Sequence, residues 1–166
     1  QKMPQEPTDL LFLPYLNGRG TPHCNLSARG VILGLTLNTN RYAVAKSILE
    51  ALAFDARCNI DAMKQAGIPI QHIRCVGGGA RSQAGLQLKA DIYQYPIETL
   101  QVRESACLGA ALLAGFAARS YSSLQEAQAV VKAGTTYEPD SKKVSYYNEM
   151  YQAFTEFYPR VCDFYK

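Results

Sequence analysis

Cysteine pairs, histidine clusters, long apolar runs and basic tracts are all missing from this chain of 166 residues. The five cysteines, Cys24, Cys58, Cys75, Cys107 and Cys162, are odd in number, widely spaced and form no C-x-x-C pair. Disulfide and zinc frameworks need closer pairing, so the spacing predicts reduced, buried thiols of a cytoplasmic protein. His23 and His72 stand alone, and no metal is expected at either. The longest apolar stretch, Ala106–Ala118, is too short to span a bilayer and is broken by Gly109 and Gly115. The net charge of +3 is small and scattered, without basic runs interleaved with aromatics. Neither nucleic acid nor a membrane is therefore expected as a partner. No signal peptide is expected, and the start at Gln1-Lys2 reads as a cut or engineered end. Internal repeats and low-complexity linkers are also missing.

What is present is the pattern of one α/β domain. A hydrophobic content of 48% with 19% charged residues is ordinary, and the length is enough to bury a core. Gly30–Thr36 reads as a short buried strand. Asn38-Thr39-Asn40 offers caps for a long helix ending near Ala66, stopped by Gly67 and Pro69. Within that helix Ala45, Ile48, Leu52, Ala56, Ile60 and Met63 recur at three or four residues and predict the core-facing stripe. Ile73–Val76 and Pro96–Thr99 read as strands, with a helix over Ser82–Tyr93 between them. The helix beginning near Glu104 is apolar on nearly every face and is expected to lie buried between layers. Strands alternating with helices predict a mostly parallel sheet flanked by helices. Gly134–Asp140 reads as a loop. It leads into an aromatic C-terminal helix, with Tyr147, Met150, Tyr151, Phe154, Phe157, Tyr158 and Val161 at helical spacing before Lys166.

The chemistry concentrates at Cys75-Val76-Gly77-Gly78-Gly79-Ala80-Arg81-Ser82, a short strand entering three glycines and then a helix. Each glycine in regular structure costs roughly 0.5–1 kcal/mol against alanine, so the string needs a reason. One reason is a backbone lying against a ligand, with free N–H groups and a helix dipole turned toward it. The other is a tight strand-to-helix connection of any α/β domain.

The surrounding segments favour the first. Upstream stand Phe12-Leu13-Pro14-Tyr15, Asn17-Gly18-Arg19-Gly20-Thr21-Pro22, Ala28-Arg29-Gly30 and Gly34-Leu35-Thr36. Ile48-Leu49-Glu50-Ala51-Leu52-Ala53-Phe54 lies between these and the glycines. Downstream come Lys89-Ala90-Asp91-Ile92 and Arg103-Glu104-Ser105-Ala106-Cys107-Leu108-Gly109-Ala110-Ala111. In this order the set resembles the C-terminal half of the FGGY carbohydrate kinases, from about Phe12 to about Arg119. The chain departs from the family pattern in two places. Asn17–Pro22 stands where many members carry Gly-Glu-Arg-Thr-Pro, and Ala84-Gly85 replaces a large aromatic that often follows the glycine turn.

The resemblance implies a partial ribonuclease H-like, actin-like ATPase domain on the ATP side of a sugar or polyol kinase. It implies that Gly78, Gly79 and Ala80 lie along the adenosine end of ATP, with Ser82 and Gln83 near the adenine or its ribose. A plain N-cap role for Ser82 is the alternative. Gly109-Ala110-Ala111 would let its helix approach the glycine turn closely, and Asp91 and Glu104 would serve in capping or hydrogen bonding. Arg19 and Arg29 read as structural arginines near the cleft, with contact to substrate or phosphate as the alternative. By the same resemblance the catalytic base, the sugar pocket and the phosphate loop precede this region. The chain is then expected to be inactive alone, with ATP and Mg2+ serving the full-length enzyme. Two strands between Gly30–Thr36 and Ile73–Val76 would also lie upstream, leaving open edges that predict either pairing between copies or a rearrangement that closes the gap. Another actin-like ATPase, or an interaction domain that lost its nucleotide, remains open at this stage.

Overall fold

The computed structural model describes residues 4, 6–102 and 104–165. Gln1, Lys2, Arg103 and Lys166, named above, fall outside them. Among the described residues there are five strands: β1 (Leu11–Leu13), β2 (Val31–Leu33), β3 (Ile73–Arg74), β4 (Ile97–Leu100) and β5 (Ala133–Tyr137). The five α-helices are α1 (Arg41–Gln65), α2 (Gln83–Tyr93), α3 (Ser105–Ala117), α4 (Leu124–Gln128) and α5 (Ser141–Val161). The chain divides into two compact units. The first runs to Ile70 and takes in Asp91–Gln94 and the segment from Pro139 onward; the second holds Gln71–Ala90 and Tyr95–Glu138.

In the first unit β1 is buried at every residue and pairs antiparallel with β2, Phe12 opposite Ile32. The strand expected over Gly30–Thr36 shrinks to Val31–Leu33 and is not buried. Gly34 ends it at φ +92, where a Cβ would meet the Asp9 carbonyl at 2.9 Å. Helix α1 starts where its cap predicts: the Asn40 side chain accepts from the Tyr42 and Ala43 amides at 2.9 and 3.1 Å. It stops before Gly67, which sits at φ +77. Helix α5 is capped by Asp140 and buries Tyr147, Phe154 and Tyr158, as its aromatic spacing predicts. Phe54 of α1 meets Phe154 and Tyr147, with ring centroids 5.6 and 6.2 Å apart, and this joins the two helices.

The buried stripe of α1 differs from the expected one. Ala45, Leu52 and Met63 are exposed, whereas Lys46, Ser47, Glu50, Ala51, Phe54 and Cys58 are buried. The reason is a polar cluster that apolar periodicity does not register. Glu50 accepts hydrogen bonds from the Thr8 hydroxyl and from Tyr147 Oη (3.1 Å), and Lys46 Nζ lies 3.8 Å away. Lys46 also donates to the Glu6 carbonyl. Buried charges are tolerated when they are paired and hydrogen-bonded, and these are.

In the second unit β3 and β4 are parallel and β4 and β5 antiparallel. The α/β class with helix-flanked strands holds. The mostly parallel pairing expected from the sequence is found at β3–β4, while β1–β2 and β4–β5 run antiparallel. The loop expected from Gly134 begins instead as strand β5. Gly134 lacks the side chain that would block its approach to β4, and Thr99 Oγ1 both donates to the Thr135 carbonyl (3.0 Å) and accepts from its amide (2.9 Å). Helix α3 is not buried as expected. No residue of it is buried, Leu113 is 62% exposed, and its packing partner is the short helix α4. No helix among the described residues is long and apolar enough to cross a membrane.

Candidate functional site

Strand β3 delivers the chain into the glycine turn. The Cys75 amide bonds the Glu98 carbonyl at 2.9 Å, and Val76 stays extended. Gly77 then takes φ +67, a left-handed conformation that a side chain would strain. Residues Gly77–Ala80 wind into one 3₁₀ turn, closed by the Arg81 amide on the Gly78 carbonyl at 3.3 Å. Cβ atoms added at Gly77 or Gly78 would meet nothing within 4 Å, so the turn is open beside both residues. Gly79 differs: a Cβ there would lie 3.0 Å from Lys89 Nζ.

A cavity of about 500 Å3 lies beside the turn, all of it within the second unit. Cys75, Val76, Ala80, Arg81, Gln83 and Leu86 line one part of it, and Thr99–Val102 with Gly134, Thr135 and Tyr137 line the rest. Two of the residues expected at a nucleotide, Ala80 and Gln83, are therefore wall residues of the cavity. Gly78 and Gly79 form the adjoining turn without lining it. Ser82 works as a helix cap: its Oγ accepts from the Gly85 amide at 3.1 Å and its carbonyl from the Leu86 amide at 2.9 Å. Thr99–Val102 and the β5 residues are the part that sequence reasoning missed. Gly134, read as a loop residue, was the available signal for a close strand.

Two ion pairs lie near the cavity. Arg81 meets Glu104 at 3.0 Å, with both side chains largely exposed, and Arg74 meets Glu98 at 2.6 Å. Glu104 thus serves as a hydrogen-bonding partner, as expected, while Asp91 is buried and accepts from the Asp140 amide at 2.9 Å. The close approach expected of Gly109 to the glycine turn is not found, since a Cβ on Gly109 would meet nothing within 4 Å. Among the described residues no three histidine, cysteine, aspartate or glutamate side chains gather to hold a metal ion.

The two arginines belong to the first unit. Arg19 is buried, its guanidinium 4.1 Å from the Tyr158 ring centre and 5.0 Å from that of Tyr15, with Nε 4.0 Å from Asp55. Burial pushes the Asp55 carboxyl up against the pull of Arg19, and burial with the Arg19 charge pushes the His23 imidazole down. Arg29 donates to the carbonyls of Leu26, Ser27 and Ala28. Both are structural arginines in their present contacts.

Residues 1–118 match the sequence profile of the C-terminal domain of the FGGY family of carbohydrate kinases. The chain belongs to this family. It is 30% identical over 155 residues to a xylulose kinase of Bacillus subtilis, covering 93% of this chain and 31% of that protein. A crystal structure of xylulose kinase from Rhodospirillum rubrum superposes with a TM-score of 0.81 at 27% identity, covering 99% of this chain and 33% of that one. The Plasmodium falciparum glycerol kinase with ADP superposes at 0.75 and 28% identity, over 90% of this chain and 30% of that one. The chain thus spans about a third of the length of the kinases it matches.

Proposed function

We propose that this chain is the nucleotide-side portion of an ATP-dependent sugar or polyol kinase, the later part of its C-terminal domain. The observation that carries the reading is the open face of the glycine turn at Gly77 and Gly78, beside a cavity walled by Ala80 and Gln83. Backbone without side chains on one face of a strand-to-helix turn is the surface on which a flat adenosine can lie. In this reading Gly78 and Gly79 run along the adenosine and Gln83 offers its amide to the ring or ribose. Ser82 holds the first turn of α2 in place.

The reaction transfers the ATP γ-phosphoryl group to a sugar or polyol hydroxyl. The hydroxyl oxygen bonds phosphorus, the bond to the β-phosphate oxygen breaks, ADP leaves, and the hydroxyl proton passes to a base. We assign that base, and the sugar pocket, to parts of the protein outside these residues. The described carboxylates offer no cluster fit to hold Mg2+, so none is assigned to it here. On its own the chain then transfers no phosphate, which a coupled ADP-release assay over a sugar and polyol panel checks. We place the protein in the cytoplasm on its cysteine spacing, although the thiols are not all buried as expected: only Cys58 is, while Cys24 and Cys107 are exposed.

Gly78→Val in the full-length protein is the discriminating test, because the added group enters empty space in the free protein. The KM for ATP should rise by about tenfold or more, as it does when a well-fitted contact is overfilled. The unfolding temperature and the sugar KM should stay as they were. An unchanged ATP KM, or equal changes for both substrates, would overturn the reading.

A further inference from the structure

We propose that Lys89 is a positioning residue, whose ammonium braces the glycine turn in the shape a nucleotide needs. The proposal rests on reading that turn as the adenosine contact. Lys89 lies nearly two turns into α2, and its Nζ donates to the Gly79 carbonyl at 3.1 Å and to Cys75 Sγ at 3.2 Å. One side chain therefore ties the end of β3 to the far side of the turn. Nζ also occupies the space beside Gly79, where a Cβ would come within 3.0 Å of it, while the Gly77 and Gly78 side stays clear. The turn is pinned at Gly79 and open at Gly77 and Gly78.

The brace answers a cost built into the sequence. Three consecutive glycines have more backbone freedom to lose than any other tripeptide. A ligand that must order them itself binds more weakly than one that finds them already set. Two nearby cations, Arg81 and Arg74, are matched to the carboxylates of Glu104 and Glu98. Among the described residues Lys89 instead spends its donors on a carbonyl and a thiol, so its effect on the turn is geometric.

The test compares Lys89→Met, which keeps the stem and loses the donors, with Lys89→Arg, which keeps a donor, in the full-length protein. ADP affinity, the KM values for ATP and sugar, and the alkylation rate of Cys75 by iodoacetamide are measured together. Exposed Cys107 and buried Cys58 serve as references for reactivity and for folding. In Lys89→Met, ADP binding should weaken about tenfold, the scale of a lost charged hydrogen bond. The ATP KM should rise with kcat and the sugar KM little changed, and Cys75 should alkylate several-fold more slowly, since a lysine ammonium beside a thiol favours its reactive thiolate. Lys89→Arg should recover most of both effects. The brace is refuted if Lys89→Met binds ADP like the wild type, or if Lys89→Arg is as weak as Lys89→Met while Cys58 stays protected. A wild-type protein that binds no nucleotide overturns the reading of the site and this role with it, and the Cys75 rates separate that failure from a failure of the brace alone.

Discussion

A Cβ on Gly134 would lie 2.7 Å from Thr99 Oγ1, which fixes both the identity of residue 134 and the course of β5. The register of β4 against β5 shifts between Glu98 and Leu100, and the Thr99 hydroxyl fills the gap by bonding both main-chain groups of Thr135. That exchange needs β5 drawn close, and only glycine permits it. Gly134→Ala should destabilise the chain by about 1–3 kcal/mol, the range for inserting a methyl group where none fits. Urea unfolding measures it, and a midpoint equal to that of the wild type would show that the strand has room to spare.

Lys46 and Glu50 are each almost fully buried, and they are coupled. Glu50→Gln leaves the Lys46 ammonium with the Glu6 carbonyl and only the weaker pull of the Glu6 charge. Breaking a buried pair on one side costs about 3–5 kcal/mol, whereas removing both charges is close to neutral. The single variants Lys46→Met and Glu50→Gln should therefore each be strongly destabilised, and the double variant should recover most of the loss. Strictly additive losses in urea unfolding would sink the coupling.

The same pair gives a pH dependence with a definite sign. Burial pushes the Glu50 carboxyl above its ordinary value, against the Thr8, Lys46 and Tyr147 contacts that pull it down. The folded state thus holds the Glu50 proton more tightly than the unfolded chain does. Stability from this group is fully present below the unfolded value, near pH 4.5, and is lost as pH rises through the folded value. Removing the opposing cation in Lys46→Met should steepen the fall. The urea midpoint of Lys46→Met, followed from pH 4 upward against the double variant, should decline with pH; a constant difference between the two would contradict the assignment.

Helix ends and the glycine turn were legible in the sequence because their causes are local. Asn40, Asp140 and Gly67 do at the ends of α1 and α5 what capping chemistry predicts. Ser82 makes the cap contact that the same chemistry offers it. The misreadings share another cause, since each depends on a partner distant in the chain. The α1 stripe held at Ile60 but missed its polar members, because Glu50 is satisfied by Thr8 and Tyr147, 42 and 97 residues away. β5 was missed because its support is the Thr99 hydroxyl, 36 residues from Thr135. Helix α3 reads as buried on composition, but burial depends on a covering layer that its own residues do not encode. The cavity wall at Thr99–Val102 was missed along with β5, since the two strands form it together.

Strand β3 supplies the last prediction. Among the described residues it pairs with β4 along one edge and with no strand along the other, although it leads directly into the glycine turn. An unpaired edge presents N–H and C=O groups to any chain that can add a strand. Groups buried there without partners would cost about 1–3 kcal/mol each. We propose that the isolated chain satisfies them by pairing with a second copy at this edge. Light scattering should then give a dimer mass that falls on dilution. Amide exchange at Ile73 and Arg74 should speed up over the same concentration range, while Ala51 and Phe54 in the α1 core remain protected. A monomer at all concentrations, or exchange at β3 indifferent to dilution, would rule out this edge as an interface.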